Sequence, residues 1–206
     1  MIMRILRSYQ NLPKIFLTKT MLKPQIINQR LPKFIKTEIE EKLILREPQE
    51  LDAPSFVDFL DQLIEEEAFL TTDHQTIEDE TGYIKFMHDE INKKRGVHLV
   101  VVSGNRKVAG VDITNKGTKR EHVGELQIYI DKDYRGIGLG HLLLNTVEDE
   151  VKKLGSIKII MLEVFSNNEV AIKLYQKYGY KITGNQEKTV SYKNDLVGMI
   201  FMQKEL

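Results

Sequence analysis

The chain has no cysteine and no tryptophan among its 206 residues. Without cysteine there is no disulfide scaffold, no thiolate metal site and no cysteine-linked covalent intermediate. Cysteine-free usage fits a reducing compartment, so the expected location is cytoplasmic. Long apolar runs are missing too. Nothing approaches the roughly 18 apolar residues of a helical membrane span, and no membrane partner is expected. The histidines at 74, 88, 98, 122 and 141 show no ligand spacing, which argues against a metal site. Hydrophobic residues at 41% and charged residues at 29% are those of an ordinary globular domain.

Acid is absent from residues 1–37, which carry eight Lys/Arg. The formal net charge of zero therefore hides an asymmetry, because residues 38–206 hold 22 basic against 30 acidic side chains. A nucleic-acid binder needs a positive field over its folded body, and this body is negative, so nucleic acid is excluded as a partner. Residues 1–36 read as a basic N-terminal extension of unknown role. Pro13, Pro24 and Pro32 break its helical patterning, and Met21 offers an alternative start. An appendage without catalytic role, a targeting segment and an oligomerisation arm all fit it.

From residue 37 the chain reads as one domain. A first strand spans Glu40–Arg46. Asp52, Pro54 and Ser55 open a helix with Phe56, Phe59, Leu60, Leu63 and Ile64 on its apolar stripe. Thr76 and Asp79 form a capping box for a second helix that buries Ile77, Ile84, Met87 and Ile91 and stops at Gly96. The period then changes: Val97–Val102 and Val108–Thr114 make a hairpin about Gly104-Asn105, and Val123–Ile130 alternates again. A helix over 139–154 follows, then a strand Ile157–Phe165 apolar enough to be buried on both faces. A helix over Asn168–Tyr178 and strands at Ile182–Gly184 and Val190–Met202 complete the chain. The order β-α-α-β-β-β-α-β-α-β-β predicts an α/β fold with a mixed, mostly antiparallel central sheet flanked by helices.

Arg135-Gly136-Ile137-Gly138-Leu139-Gly140 lies between a strand and a helix. Three glycines let backbone N–H groups converge, the helix N-terminus adds a positive dipole, and Arg135 adds a full charge. The chemistry suits a pyrophosphate-sized anion. A Walker A loop is disfavoured, because His141 follows Gly140 where lysine is required. A dinucleotide fingerprint would place Leu143 at its third glycine and Glu163 near its ribose-binding acid, so a nicotinamide reader remains a competing class.

Two segments resemble a known family. Arg135–Gly140 matches the pattern [Arg/Gln]-x-x-Gly-x-[Gly/Ala]. Asn168-x-x-Ala171-x-x-Leu174-Tyr175-x-x-x-Gly179-Tyr180 resembles a second signature of the GNAT superfamily of acetyl-CoA-dependent N-acetyltransferases. The resemblance runs from about residue 40 to the C-terminus and implies an N-acetyltransferase domain over residues 37–206. It implies acetyl-CoA as co-substrate, with Arg135, Gly136, Ile137, Gly138, Leu139, Gly140 and His141 holding the pyrophosphate. Gln127, Ile128, Tyr129 and Ile130 would splay from the next strand, with backbone groups around Ile128 and Ile130 pairing with the pantetheine. Asn168 would contact the cofactor arm, and Tyr175 would protonate the departing thiolate. Glu125, on the strand before the loop, is the candidate general base.

The acceptor is a primary amine on this reading. Glu65-Glu66-Glu67 and Glu78-Asp79-Glu80 suggest an acidic mouth and hence a small cationic molecule. Phe165 stands where family members that acetylate protein N-termini commonly carry arginine, which lowers that alternative. A non-catalytic acyl-CoA-binding module is a further competitor. The sheet edges leave room for a homodimer.

Overall fold

In the computed structural model, residues 42–206 are described in full and residues 15–18 by their backbone pairing alone. The rest of the basic segment lies outside the described residues. Strand β1 (Ile15–Thr18) pairs antiparallel with β2 (Lys42–Arg46), with Ile15 opposite Leu45. The Asp52 carboxylate takes a two-pronged grip from the Arg46 guanidinium, 2.7 Å on each arm, and the Gln49 N–H at 2.7 Å. It thereby fixes the angle at which α1 (Ala53–Glu65) leaves β2.

Helix α2 (Ile77–Asn92) begins with the expected capping box: the Asp79 N–H donates to Thr76 Oγ1 at 3.2 Å, and the Thr76 N–H to Asp79 Oδ2 at 3.0 Å. Its buried stripe differs from the expected one. Ile84 and Met87 are buried, Ile91 is half-buried, and Ile77 is 54% exposed. Side chains lean toward a helix's N-terminus, so Ile77 at the first position points off the end of the packed face. The helix also stops earlier than Gly96. Lys94 takes a left-handed turn (φ 56°), and Gly96 already opens the next strand.

β3 (Gly96–Ser103), β4 (Arg106–Asn115) and β5 (Val123–Ile130) form an antiparallel meander. After β5 come α3 (Leu139–Leu154), β6 (Ile159–Phe165), α4 (Glu169–Lys177), β7 (Lys181–Tyr192) and β8 (Asp195–Glu205). The sheet runs β1-β2-β3-β4-β5-β6-β8-β7, and every neighbouring pair is antiparallel except β5 and β6. Two expectations need correction here. The strand expected over Val190–Met202 is two strands, because Lys193 and Asn194 both adopt positive φ (49° and 65°), as a tight hairpin turn requires. β6 is fully buried on one face only: Ile160, Leu162 and Val164 point into the core, whereas on the other face Phe165 is buried, Ile159 and Met161 are half-buried and Glu163 is exposed.

The sheet buries both faces. One packs Val101, Val111, Ile113 and Leu126 against Leu139, Leu143, Leu144, Val147 and Val151 of α3. The other packs Val100 and Val102 against Ala53 and Phe56 of α1 and Ile84 and Met87 of α2. Each fully buried large aliphatic stabilises the fold by roughly 1.5–3 kcal/mol. Among the described residues no helix is long and apolar enough to cross a membrane.

One irregularity in this sheet bears on the site. Val101 pairs with Ala109 but Val102 pairs with Lys107, so Val108 is an extra residue in β4. Val108 turns into the core on the α3 side. A one-residue bulge reverses the alternation beyond it and re-aims the neighbouring side chain. Lys107, paired with Val102, is thus placed on the α1/α2 face with Gly110 and Asp112.

Candidate active site

β5 and β6 are aligned for three residue pairs only, Val123–Ile159, Gly124–Ile160 and Glu125–Met161. Beyond Glu125 the strands part. β5 keeps its other partner as far as Ile130, which faces Ala109 of β4, and β6 keeps β8 as far as Phe165. The backbone of Leu126–Ile130 therefore borders a slot on its β6 side. Parallel strands that diverge leave peptide N–H and C=O groups needing an extended polar partner.

The glycine loop sits at the end of β5. Gly136 and Gly138 have φ of 74° and 92°, conformations that disfavour any side chain with a Cβ, and Leu139 begins α3 directly afterwards. The amides of the first helical turn have no partners within the helix, so they and the dipole face the loop. Gly140 lies where a Cβ would come 3.4 Å from Leu174 and 3.5 Å from Ile130, so the loop is closed from behind by α4 and β5. The Arg135 Nε donates to the Ile130 carbonyl at 2.8 Å, and its guanidinium pairs with Glu66 at the end of α1. His141 is tied to α4 through Tyr178, whose hydroxyl lies 3.1 Å from His141 Nδ1 and 3.1 Å from the His141 carbonyl.

Asn168 caps α4, its Oδ1 accepting from the Ala171 N–H at 3.2 Å. Tyr175 is 6% exposed, and its ring packs edge-on against Tyr180 at 5.8 Å. Burial, and then the nearby Tyr129, push the Tyr175 hydroxyl well above its ordinary range, so it stays protonated at neutral pH. Glu125 stands at the fork of the slot, where its Oε2 accepts from Lys116 Nζ at 2.5 Å. Glu163 faces solvent on β6.

On the face of the sheet toward α1 and α2 lies a cavity of about 410 Å³, walled by α1, α2, β3, β4 and β5. Gln127 and Tyr129 line it, so β5 presents these side chains to the cavity and its open backbone edge to the slot. Cross-strand pairing sets His98, Asp112 and Gln127 in one row and Val100, Gly110 and Tyr129 in the next. Burial pushes the Asp112 carboxyl up to about 7; Lys107 opposes the shift and Glu125 adds to it. Burial brings the Lys107 ammonium down to about 8, against the pull of Glu80, Asp112 and Asp52. His98 falls to about 4 through burial and His88, and is neutral. Tyr129 rises to about 12 through burial, Asp112 and Glu125. Asp112 and Lys107 were not singled out by sequence. The one signal was two charges at inward positions of an apolar strand, and only the bulge and the register put both on the cavity face.

The acidic mouth is smaller than the glutamate runs suggested. Glu66 is held by Arg135 and Glu67 lies 3.6 Å from Lys193, whereas Asp79 and Glu80 line the cavity.

The sequence profile described as the acetyltransferase (GNAT) family matches residues 58–180. The chain belongs to that family. It is 40% identical over 58 residues to a probable spermine N(1)-acetyltransferase of Bacillus subtilis subsp. natto, a stretch covering 28% of this chain and only 38% of that protein. It is 24% identical over 119 residues to an L-amino acid N-acetyltransferase of Escherichia coli K12, covering 56% of this chain and 73% of that one. The crystal structure of a GNAT-family acetyltransferase from Streptococcus pneumoniae superposes with a TM-score of 0.73 at 28% identity, covering 80% of this chain and 99% of the other.

Proposed function

We propose that the protein transfers an acetyl group from acetyl-CoA to a small primary amine by direct attack, without a covalent enzyme intermediate. The observation that carries this reading is the parting of β5 from β6 with the cavity against the α1/α2 face of the same strand. The residues fit the co-substrate. Left-handed glycines and the start of α3 suit its pyrophosphate, and the open edge of Leu126–Ile130 suits its amide-bearing arm. Arg135 reaches the same anion if it exchanges Glu66 for phosphate.

Asp112, rather than the expected Glu125, is the group we assign to take the ammonium proton. Asp112 lies in the cavity wall with its carboxyl lifted toward neutrality, whereas Lys116 occupies Glu125. Glu125 contributes by raising Asp112. The neutral amine then attacks the thioester carbonyl, and the backbone groups of β5 face the developing oxyanion. The C–S bond breaks, the Tyr175 hydroxyl protonates the leaving thiolate, and the second proton shed by the attacking nitrogen as it becomes an amide restores the Tyr175 hydroxyl. The products are the N-acetyl amine and free CoA, with the ammonium proton passing through Asp112 to solvent. Asp79, Glu80 and Asp112 favour an acceptor that arrives as a cation. The relatives' names include a polyamine and an amino acid, which share a primary ammonium. A cytoplasmic setting completes the reading.

The test is calorimetric titration with acetyl-CoA, CoA and NAD, followed by thiol release across a panel of amines. Acetyl-CoA binding with amine-dependent release supports the proposal. Binding without release from any amine makes the protein an acyl-CoA-binding module, and NAD binding without CoA binding overturns the assignment of the loop.

A further inference from the structure

We propose that Lys107 reads a carboxylate on the acceptor, so that the amine acetylated is an amino acid rather than a plain amine or a polyamine. This rests on the reading above that the cavity holds the acceptor.

Lys107 reaches the cavity through three features of the fold. The bulge at Val108 turns its side chain from the α3 face to the α1/α2 face. Gly110, three residues on, leaves the space its stem needs, since a Cβ there would come 3.3 Å from Lys107 Cε and 3.7 Å from Nζ. Phe56 and Phe59 of α1 supply ring faces beneath the ammonium, whose Nζ lies 3.5 Å and 4.8 Å from their centroids.

The charge so placed has no anionic partner. Lys107 Nζ makes no hydrogen bond and no ion pair among the described residues, although three carboxylates act on it electrostatically. Asp52 is already committed to Arg46. An ammonium carries three donors, and ring faces satisfy none of them as an oxygen would. Its donors are therefore left for an anion in the cavity. Asp112 lies on the same face of the same strand, two residues beyond Gly110. A cation and a carboxylate side by side but unpaired match the two ends of an amino acid, whose ammonium and carboxylate are one carbon apart. The ammonium goes to Asp112, where the proton is removed, and the carboxylate goes to Lys107. Leu60, Leu63 and Leu70 supply an apolar stretch of the remaining wall, which suits an uncharged side chain, with Asp79 and Glu80 elsewhere on it. A polyamine would instead set a second ammonium against Lys107.

The test uses matched pairs: L-leucine with isopentylamine, and L-methionine with 3-(methylthio)propylamine, with spermidine alongside. Each amino acid is expected to exceed its decarboxylated partner in kcat/KM by at least about tenfold, the scale of a charge-assisted hydrogen bond. Lys107→Met should remove that advantage. Loss of the cation also lifts Asp112 further and slows both classes alike, so the readout is the kcat/KM ratio of each amino acid to its plain amine, expected to fall about tenfold. Lys107→Gln, which removes the charge but keeps a donor on a stem one bond shorter, serves the same comparison should the methionine variant fail to fold. A wild-type preference for spermidine or the plain amines overturns the proposal. An unchanged ratio also overturns it, since Lys107 would then act on both classes alike, through Asp112 or through packing. If acetyl-CoA binds but neither class is acetylated, the transferase reading itself falls and this inference with it.

Discussion

Glu125 of β5 and Met161 of β6 are the last aligned residues between the two strands, and from that pair onward the sheet is forked. The fork places two chambers against one strand. Leu126–Ile130 turn their backbone edge to the slot, while the side chains of Gln127 and Tyr129 line the cavity.

Gly138 holds φ of 92° at the N-cap of α3. Gly138→Val is expected to abolish measurable acetyl-CoA binding in calorimetry. The backbone strain costs on the order of 1–2 kcal/mol, so the melting temperature should fall by a few degrees without loss of the fold. Retained affinity would show that this loop does not hold the anion.

Tyr175→Phe should lower kcat by about a hundredfold, the low end of general acid catalysis, with KM for acetyl-CoA little changed. Steady-state thiol release reads both constants. An unchanged kcat would transfer the acid role to water.

Asp112 must be unprotonated to accept a proton. Its carboxyl is raised to about 7, so kcat/KM should fall about tenfold for each pH unit below that value. Asp112→Asn should remove this limb and cut kcat by about a hundredfold. The sign for stability is opposite. The folded state holds this proton more tightly than the unfolded chain, so Asp112 weakens the fold progressively as pH rises from about 4 to about 7. The asparagine variant should therefore be more resistant to urea than the wild type at neutral pH. A variant that is both active and less stable would sink both assignments.

His98 behaves in the reverse sense. It is 1% exposed and its imidazole is lowered to about 4, so the unfolded chain takes up a proton before the folded one does. Its contribution is complete above the ordinary histidine range and is lost as pH falls from about 6.5 toward 4, by roughly 3 kcal/mol. Urea unfolding of wild type and His98→Gln at pH 7 and pH 5 measures this. The stability gap between them should narrow at the lower pH, and a constant gap would refute the buried neutral histidine.

The sequence carried the element order because periodicity and capping residues are local. Thr76 with Asp79, the alternation of Val123–Ile130 and the glycines about α3 all found their places. The hairpin at Lys193-Asn194 escaped because it lacks the glycine that usually marks such a turn. Glu125 attracted notice as a carboxylate beside the loop, but pairing with Lys116 depends on a fold-back across nine residues that no pattern reveals. Lys107 and Asp112 were hidden for a similar reason. A single extra residue, Val108, decides which face Lys107 occupies, and bulges have no sequence signature in an otherwise regular run.

The short seam between β5 and β6 also has a mechanical meaning. The sheet is two plates, one built from β1–β5 and the other from β6–β8, stitched by three aligned pairs and backed by α3 and α4. A molecule lying in the fork would act as a partial ninth strand and extend the stitch along its open length. Occupancy would then stiffen both plates at once, and strain on either side of the fork would reach the other through β5.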